Sequence, residues 1–499
     1  MSTIVVAQEN KKPKTLIVFF DGLRPDYITP EYMPNLSGMK QNGSYGSHHH
    51  SVFPTVTRVN SASYATGAYP GTHGLLGNSV YFPEIDKTKG FDAGDAQNLI
   101  QITEATNDKL LTSISFGEVL KESGINFMVF SSGSTGQAML QNHKINGGAV
   151  INPELILPES MKEEVEKTIG APPDNGSPNT GRHKWAVDAL LHYGLKKDGP
   201  QVNAIWMSDP DGTAHREGIG SPLAMESIKI VDAEFGRIIS HLKEIGQFEN
   251  TNILISTDHG FVTYVGKDNL TEFLIKEGFK KDIESEDVVV VGNAVYVKNH
   301  DQKTIESIIA SLHEQEWIGA LFTKSKKSGD FKGNVNGTLS FESIHWDHPR
   351  SADIVVDVNW DERENAYGFK GASYSKGVAG HGSSSRFEIN IPFIAYGPSF
   401  KSSFTSSLPT SNVDIVPTIL DLYGIKVPAQ MDGRPMKEFF SGDSVKEKNA
   451  KKTVTKTSAT YNWGTYILTL EESILGNYRY VDFTKTERVP ASLVQKNKL

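Results

Sequence analysis

Carboxylates and imidazoles that could bind metal ions occur in three short motifs of this 499-residue chain. The motifs are Asp21-Gly22, Asp211-Gly-Thr-Ala-His215 and Asp258-His259-Gly260. Carboxylate and imidazole groups that converge on one place are costly to desolvate unless a cation neutralises them. Mixed Asp and His ligation is typical of zinc, with manganese or iron as the less favoured alternatives. His381 is a further candidate ligand, because the glycines around it in residues 377–382 would let its ring approach a site.

A candidate nucleophile lies in a hydroxyl-rich segment. Residues 51–60 read SVFPTVTRVN, which includes Thr57, and residues 71–78 follow as GTHGLLGN. On its own, this segment is typical of a loop and a helix N-cap. A threonine hydroxyl is a poor nucleophile at neutral pH, but a metal ion can activate it as an alkoxide. The segment alone leaves both interpretations open.

The acidic motifs follow apolar runs that predict buried strands. The runs are residues 15–20, 125–130, 202–207, 252–256 and 391–396. They lack polar alternation, which is typical of strands covered on both faces. A single Asp after a strand is ordinary turn chemistry. Three acidic endings, two of them with a nearby His, instead favour a site, since ligands of open α/β sheets bind at the carboxyl ends of the strands.

Amphipathic helical patterns lie between these runs. Apolar residues from Ala224 to Leu242 recur at helical spacing, and a second pattern from Val413 to Tyr423 stops at Gly424, a plausible C-terminal cap. Buried strands that alternate with such helices predict an α/β fold, with a mostly parallel central sheet and helices on both faces. We assign the catalytic core to residues 15–265 and 371–440.

The remaining segments are predicted to be additions to this core. Residues 266–370 would form a small inserted α/β lobe, with strands at 287–291 and 353–357 and a helix at 302–316. Residues 441–499 would form a linker and a C-terminal β appendage, with strands at 466–470 and 478–481. The linker would carry the lysines Lys446, Lys448, Lys451, Lys452 and Lys456. Substrate specificity is expected in the lobe and around residues 79–115.

Residues 1–14 are either a disordered tail or a truncated signal peptide. The short apolar stretch at residues 2–7, in which Val5 and Ala7 could precede a cleavage site, favours the signal peptide. We therefore expect a soluble periplasmic or secreted protein.

Composition excludes several classes of function. Fifty Lys and Arg against 59 Asp and Glu give a net charge of −9, which argues against a nucleic-acid partner that needs a basic face. No apolar run approaches the roughly 18 to 20 residues that span a bilayer. Cysteine is absent, which eliminates disulfide frameworks, Cys-rich zinc sites and thiol nucleophiles.

Taken together, these motifs resemble the alkaline phosphatase superfamily, and within it the nucleotide pyrophosphatase/phosphodiesterase branch. The matching blocks are Asp21-Gly-Leu-Arg24, Phe53-Pro-Thr-Val-Thr57, Asn78 after His73-Gly74, Asp211 to His215, Asp258-His-Gly260 and the looser Gly380-His-Gly382. The resemblance covers residues 15 to about 264 and about 371 to 440. The lobe and the C-terminal segment are less constrained by it.

The resemblance implies a role for each matching residue. Asp211, His215 and His381 would hold one zinc ion. Asp21, Asp258, His259 and the Thr57 oxygen would hold the other, about 4 Å away, as in two-metal sites that clamp both oxygens of an in-line displacement. Thr57 would attack phosphorus and form a phosphothreonine intermediate that water hydrolyses. Asn78 and the Thr57 backbone N–H would stabilise the non-bridging oxygen.

The implied activity is hydrolysis of a small phosphodiester or nucleotide substrate, and two departures from the family pattern bear on it. Arg58 follows the nucleophile where nucleotide-cleaving members typically carry an aromatic residue, and Val59-Asn60-Ser61 replaces Pro-Asn-His. Arg58 would contact a second anionic group of the substrate or point to solvent. A phosphomonoesterase or phosphonoacetate-type hydrolase with the same metals is therefore the alternative, and an inactive ligand-binding relative is a remote one. The absence of Cys argues against the sulfatase and phosphonate monoester hydrolase branches, which usually modify Cys.

Other histidines are expected outside the ligand set. His48, His49 and His50 precede the nucleophile block, and only alternate side chains of a strand can face one site, so we favour structural or rim roles for them. His345 and His348 in the inserted lobe are possible further contributors, and His73 is expected to serve packing.

Overall fold

The computed structural model describes residues 12–145, 147–442 and 450–494. Most of the predicted tail or signal peptide (residues 1–11) and two lysines of the predicted linker, Lys446 and Lys448, lie outside the described residues. Within the described ranges, no helix combines the length and the apolar character that a membrane crossing requires.

The structure contains 24 strands and 15 α-helices within these ranges. The strands are β1 Lys14–Phe20, β2 Ser44–His50, β3 Ser79–Val80, β4 Phe91–Asp92, β5 Phe127–Ser131, β6 Ala149–Asn152, β7 Leu155–Leu157, β8 Val202–Met207, β9 Thr251–Ser256, β10 Val262–Gly266, β11 Val288–Val291, β12 Ala294–Val297, β13 Ile318–Thr323, β14 Leu339–Ser340, β15 Ile354–Val358, β16 Trp360–Glu364, β17 Lys370–Lys376, β18 Ala379–Gly380, β19 Asn390–Tyr396, β20 Phe404–Ser406, β21 Thr410–Ser411, β22 Lys451–Tyr461, β23 Gly464–Leu475 and β24 Tyr478–Pro490. The helices are α1 Pro34–Asn42, α2 Thr57–Thr66, α3 Pro70–His73, α4 Ala96–Ala105, α5 Phe116–Glu122, α6 Thr135–Gln141, α7 Lys162–Ile169, α8 Thr180–Ala189, α9 Asp211–Glu217, α10 Pro222–Glu244, α11 Leu270–Lys276, α12 Gln302–Glu314, α13 Arg386–Ile389, α14 Ile415–Leu422 and α15 Ala491–Val494.

A ten-stranded sheet forms the centre of the molecule, in the order β20-β2-β19-β9-β1-β8-β5-β6-β7, with β21 also paired to β2. Strands β9, β1, β8, β5 and β6 run parallel. All five predicted apolar runs are strands of this sheet, but the last of them, β19, runs antiparallel to both β9 and β2. The predicted α/β fold with a mostly parallel central sheet is therefore confirmed.

The apolar runs are buried because helices cover both faces of the sheet. On β1, Leu16, Val18 and Phe20 pack against the side of α10. Ile17 and Phe19 point the other way and pack with residues of α2 and α14. Helix α14 is shorter than its pattern predicted, because Asn412–Asp414 forms a 3-10 turn before it. Gly424 follows its C-terminus with φ +70°, which suits the predicted capping role.

The segment after β9 builds two smaller sheets. One has the order β11-β12-β15-β13-β14, and the other has the order β16-β17-β10-β18. The predicted lobe boundaries at 265/266 and 370/371 fall inside β10 and β17, which pair with each other. The division of the chain at these two points stays a prediction.

The C-terminal strands β22, β23 and β24 form an antiparallel sheet, which agrees with the predicted β appendage. The linker prediction was wrong for three lysines: Lys451, Lys452 and Lys456 lie in β22. All three are exposed, and composition alone does not separate an exposed strand from a linker. Tyr466 and Leu468 of this sheet are buried in one apolar cluster with Phe322 and Val355 of the lobe sheet.

Candidate active site

The order of the central strands brings the acidic motifs together. Strand β1 lies between β8 and β9, and Asp21, Asp211 and Asp258 follow these strands at their carboxyl ends. A backbone hydrogen bond joins the segments after β1 and β8, since the N–H of Asp211 donates to the carbonyl of Asp21 at 3.0 Å. Gly22 has φ +71°, and a Cβ there would lie 3.1 Å from Asp211. The predicted convergence therefore depends on a glycine at this position.

Asp211, His215 and His381 form the first group of potential ligands, with ligand atoms within 4.8 Å of one another. The Nε2 atoms of both histidines lie 3.2 Å from Asp211 Oδ1. Asp211 and His215 share a face of α9 because they are four residues apart. His381 comes from the loop after β18. Gly380 makes room for this loop, since a Cβ there would lie 2.2 Å from the Tyr264 hydroxyl.

Asp21, Asp258 and His259 form the second group. His259 Nε2 lies 3.0 Å from Asp258 Oδ2 and 3.7 Å from Asp21 Oδ1. Trp206 Nε1 donates to Asp21 Oδ2 at 2.9 Å, and the Gly22 N–H donates to Asp258 Oδ1 at 3.0 Å. One oxygen of each carboxylate is thus held by the protein and the other points into the group.

All three histidines present the same nitrogen to the carboxylates. Their Nδ1 atoms lie 2.8–3.0 Å from backbone carbonyl oxygens, of Ala379 for His215, Gly260 for His259 and Thr55 for His381. A carbonyl oxygen only accepts, so each Nδ1 carries the hydrogen. In a neutral ring, Nε2 then has no hydrogen, and its lone pair faces a carboxylate. This second set of hydrogen bonds is the arrangement that orients histidine ligands around metals.

The two groups fit a pair of cations. Three buried carboxylate oxygens, Asp21 Oδ1, Asp211 Oδ1 and Asp258 Oδ2, have no hydrogen-bond partner among the described residues. Burial, together with the carboxylates of Asp258 and Asp211, raises the pKa of Asp21 well above its ordinary value. Burial and the neighbouring His259 lower the pKa of His381 to about 4. Unpaired acceptors and a neutral imidazole at one buried edge are the chemistry that a bound divalent metal satisfies.

Thr57 is the first residue of α2 and its hydroxyl borders the second group. Thr57 Oγ1 lies 3.3 Å from His259 Nε2. Among the described residues, the Thr57 backbone N–H meets no acceptor. The N-terminus of a helix is favourable for an anion, because its first N–H groups are unpaired and the helix dipole is positive there.

Asn78 and Arg58 lie beside Thr57, the predicted nucleophile. Asn78 Oδ1 accepts a hydrogen bond from the Arg58 backbone N–H at 3.0 Å. The Arg58 side chain is half-buried and Nη2 donates to Ser134 Oγ at 3.2 Å, while Nε has no partner among the described residues. Arg58 therefore does not simply point to solvent, which was one of the two expectations for it.

The other histidines lie outside the two groups. His73 is buried and bonds Ser63 Oγ through Nε2 at 2.9 Å. His345 stacks on Tyr69, and His348 lies 3.1 Å from Thr112 Oγ1. Neither lobe histidine joins the ligand groups that the described residues form.

Sequence reasoning missed Trp206 and Glu388. The buried Glu388 carboxylate accepts from the N–H groups of Gly382 and Ser383 at 2.6 and 2.7 Å and from Thr55 Oγ1 at 3.0 Å. It thereby ties the loop that carries His381 to the nucleophile block. No motif marks it, because Glu388 is distant in sequence from Thr55 and only the folded chain joins them.

Comparison with known proteins places this chain in a family. The family model of type I phosphodiesterase/nucleotide pyrophosphatase matches residues 15–368. Ectonucleotide pyrophosphatase/phosphodiesterase family member 3 of Bos taurus is 23% identical over 430 residues, which cover 84% of this chain and 43% of that protein. The bis(5'-adenosyl)-triphosphatase of Pongo abelii is 24% identical over 420 residues, which cover 83% and 78%. The chain thus spans less than half the length of the first of these relatives.

Among solved structures, murine ectonucleotide pyrophosphatase/phosphodiesterase 5 has the same fold. It aligns with a TM-score of 0.60 at 18% identity, over 86% of this chain and 100% of that one. A second structure of that murine protein is of an inactive variant in complex with AMP. Since the family model covers well over half of the residues, including Asp21, Thr57 and Asp258, the chain belongs to the type I phosphodiesterase/nucleotide pyrophosphatase family.

Proposed function

We propose that this protein hydrolyses phosphodiester or phosphoanhydride bonds, with Thr57 as the nucleophile and two divalent metal ions as cofactors. One observation carries the proposal: two groups of three Asp and His ligands lie side by side, and the Thr57 hydroxyl borders one of them. The rings of His259 and His381, one from each group, stack with centroids 3.4 Å apart. A substrate phosphate at Thr57 would meet both groups.

The donor atoms favour zinc. Asp211, His215 and His381 would hold one ion, and Asp21, Asp258 and His259, with the Thr57 oxygen, the other. Imidazole nitrogens together with carboxylate oxygens suit zinc better than magnesium or calcium, which prefer oxygen alone. When bound, such a pair supplies positive charge for the attacking and leaving oxygens of an in-line displacement.

The chain's own residues would act directly on phosphorus. Thr57 Oγ1 loses its proton to solvent and forms a bond to phosphorus while the bond to the leaving oxygen breaks. The leaving group departs with the electron pair and takes up a proton from water. Water then cleaves the phosphothreonine and restores the hydroxyl. The Thr57 N–H and the Asn78 amide would donate to a non-bridging oxygen, a preorganised arrangement that costs no rearrangement during reaction.

Nucleotides are the proposed substrate class, because the relatives are named for nucleotide pyrophosphate and phosphodiester substrates and the murine structure holds AMP. The ecto- designation of the relatives also supports export of this protein to the periplasm or the medium. A phosphomonoesterase is a second candidate, because Arg58 Nε, which has no partner among the described residues, could hold the additional charge of a monoester.

A paired assay tests the proposal. The zinc-loaded protein is assayed at alkaline pH with bis-p-nitrophenyl phosphate and p-nitrophenyl phosphate at matched concentrations. A preference for the diester is expected, with a p-nitrophenyl phosphoryl group trapped on Thr57 after an acid quench, because only one of the two nitrophenolates leaves in the first step. A preference for the monoester that Arg58→Ala abolishes would identify the phosphomonoesterase. No turnover of either ester would contradict both assignments.

A further inference from the structure

A third group of possible metal ligands lies away from the candidate active site. It consists of His48 and His50 on β2 and Asp482 on β24, with ligand atoms within 4.8 Å of one another. The two histidines are two residues apart, so they point to the same face of the strand. Their Nε2 atoms converge on one oxygen, at 2.9 Å from Asp482 Oδ1 for His48 and 2.8 Å for His50.

His50 has the hydrogen-bonding arrangement of the active-site histidines. Its Nδ1 lies 2.8 Å from the Thr410 carbonyl oxygen, which only accepts, so Nδ1 carries the hydrogen. In the neutral ring, Nε2 then has no hydrogen, and its lone pair faces a carboxylate oxygen. His215, His259 and His381 show the same pairing of a carbonyl at Nδ1 and a carboxylate at Nε2.

Two acceptors in contact need a cation between them, either a proton or a metal ion. A proton would create an imidazolium whose side chain is only 2% exposed, against a carboxylate that is 5% exposed, and sealing such charges from water is costly. A divalent metal could use neutral imidazoles from both histidines and neutralise the carboxylate as well.

Ser473 and Lys452 also approach the Asp482 carboxylate. Ser473 Oγ lies 3.0 Å from Oδ1 and 2.9 Å from Oδ2. A hydroxyl has one hydrogen, and when Ser473 donates it to the nearer Oδ2, Oδ1 faces the two histidines. Lys452 Nζ lies 3.8 Å from the same Oδ2, on a side chain that is 66% exposed. The His48 side chain is 26% exposed, which provides a path from solvent and a place for water to complete the coordination.

We propose that His48 Nε2, His50 Nε2 and Asp482 bind a third divalent metal ion, zinc by donor type, with a structural role. The ion would join β2 to β24, two strands distant in sequence. Residue 50 ends the strand that leads directly to the nucleophile helix, so the ion would anchor the C-terminal sheet to that part of the core. A metal that binds only the folded protein stabilises it by mass action.

Counting metal ions tests the proposal. Protein made without a polyhistidine tag is saturated with zinc, desalted and analysed for zinc and protein. Compared with the wild type, His48→Gln and Asp482→Asn should each lose about one equivalent and keep ester turnover. Lys452→Gln, which removes a neighbouring charge but no ligand, should lose none. An unchanged zinc content in both ligand variants would overturn the proposal.

A second measurement does not depend on catalysis or on Asp482. In the Asp211→Asn/Asp258→Asn background, which weakens both active-site groups, zinc added to chelator-treated protein should raise Tm by at least about 2 °C. Adding His48→Gln to that background should remove the increase, and His48 is exposed enough for this change to be tolerated. An equal zinc-induced shift with and without His48→Gln would show that the ion binds elsewhere.

Discussion

The side-chain oxygen of Asn78 is held by the backbone N–H of Arg58, at 3.0 Å. Because a backbone N–H can only donate, this bond determines which end of the Asn78 amide is the oxygen. The NH₂ group is the end that remains to donate to a substrate. Arg58 is itself the residue after Thr57, so the Asn78 amide and the proposed nucleophile are positioned by the same helix N-terminus.

Replacing Asn78 should therefore slow the chemical step without removing metal. In Asn78→Ala, we expect kcat to fall by about 10²–10³, the usual loss for one oxyanion donor. Asn78→Asp should lose at least as much, because a carboxylate keeps the acceptor for Arg58 but repels phosphate. Steady-state kinetics with zinc analysis provide the check. A kcat within a few-fold of wild type in both variants would remove Asn78 from the mechanism.

Thr57→Ala should abolish turnover, because no hydroxyl remains to attack phosphorus, while most bound zinc is retained by the six Asp and His ligands. Thr57→Ser keeps the hydroxyl and should keep measurable activity. Mass spectrometry after an acid quench with a diester substrate should find residue 57 carrying a phosphoryl group with the retained ester substituent, in the wild type and in the serine variant. Unchanged turnover by the alanine variant would rule out a nucleophilic Thr57.

Asp258→Asn should lower zinc content and activity together. Asp258 Oδ2 has no hydrogen-bond partner among the described residues and lies 3.0 Å from His259 Nε2, so an amide there removes the charge that a cation would meet. We expect zinc affinity to fall by more than about 100-fold. Loss of a residue that only hydrogen-bonds to a metal ligand already lowers metal affinity by about 10- to 100-fold, and Asp258 is a proposed ligand itself. Competition with a chelator measures it. Full activity after verified metal loss would contradict metal dependence.

Trp206→Phe tests a positioning residue. The indole N–H donates to Asp21 Oδ2 at 2.9 Å, and phenylalanine keeps an aromatic ring next to Phe19, on which Trp206 stacks. Loss of this bond should weaken zinc binding by about 10- to 100-fold. Excess zinc should then restore kcat, whereas a purely structural defect would persist at any zinc concentration.

Asp357 should make stability depend on pH. Burial raises its pKa to about 7, although Ser384 and the Val358 N–H bond the carboxylate. Because folding raises the pKa, the protonated Asp357 carboxyl stabilises the folded state at low pH. This contribution to the free energy of unfolding is lost as pH rises from about 4, the pKa in the unfolded chain, through about 7. The difference in free energy of unfolding between wild type and Asp357→Asn should therefore shift against the wild type from pH 5 to pH 8. Urea unfolding at both pH values measures it, and a constant difference would show that the Asp357 pKa is not raised.

Local sequence patterns were sufficient for the elements and for most of the candidate site. Unbroken apolar runs predicted the five central strands, because a strand covered by helices on both faces has no polar side. The position of Asp21, Asp211 and Asp258 within four residues of the ends of three of these runs predicted a common edge, since parallel strands end on the same side of a sheet. Thr57 and His381 required the motif resemblance as well, because a lone threonine or histidine has many ordinary roles.

Only the tertiary structure decided which groups meet across long sequence distances. The order β9-β1-β8, the antiparallel direction of β19 and the packing of the C-terminal sheet depend on contacts between distant segments, which local periodicity does not record. The same is true of the carbonyl partners of the histidines, of Trp206 and Glu388 around the site, and of Asp482 beside His48 and His50. Such groups are brought together by the burial of apolar faces elsewhere in the fold, so their own residue types carry no local signal of the encounter.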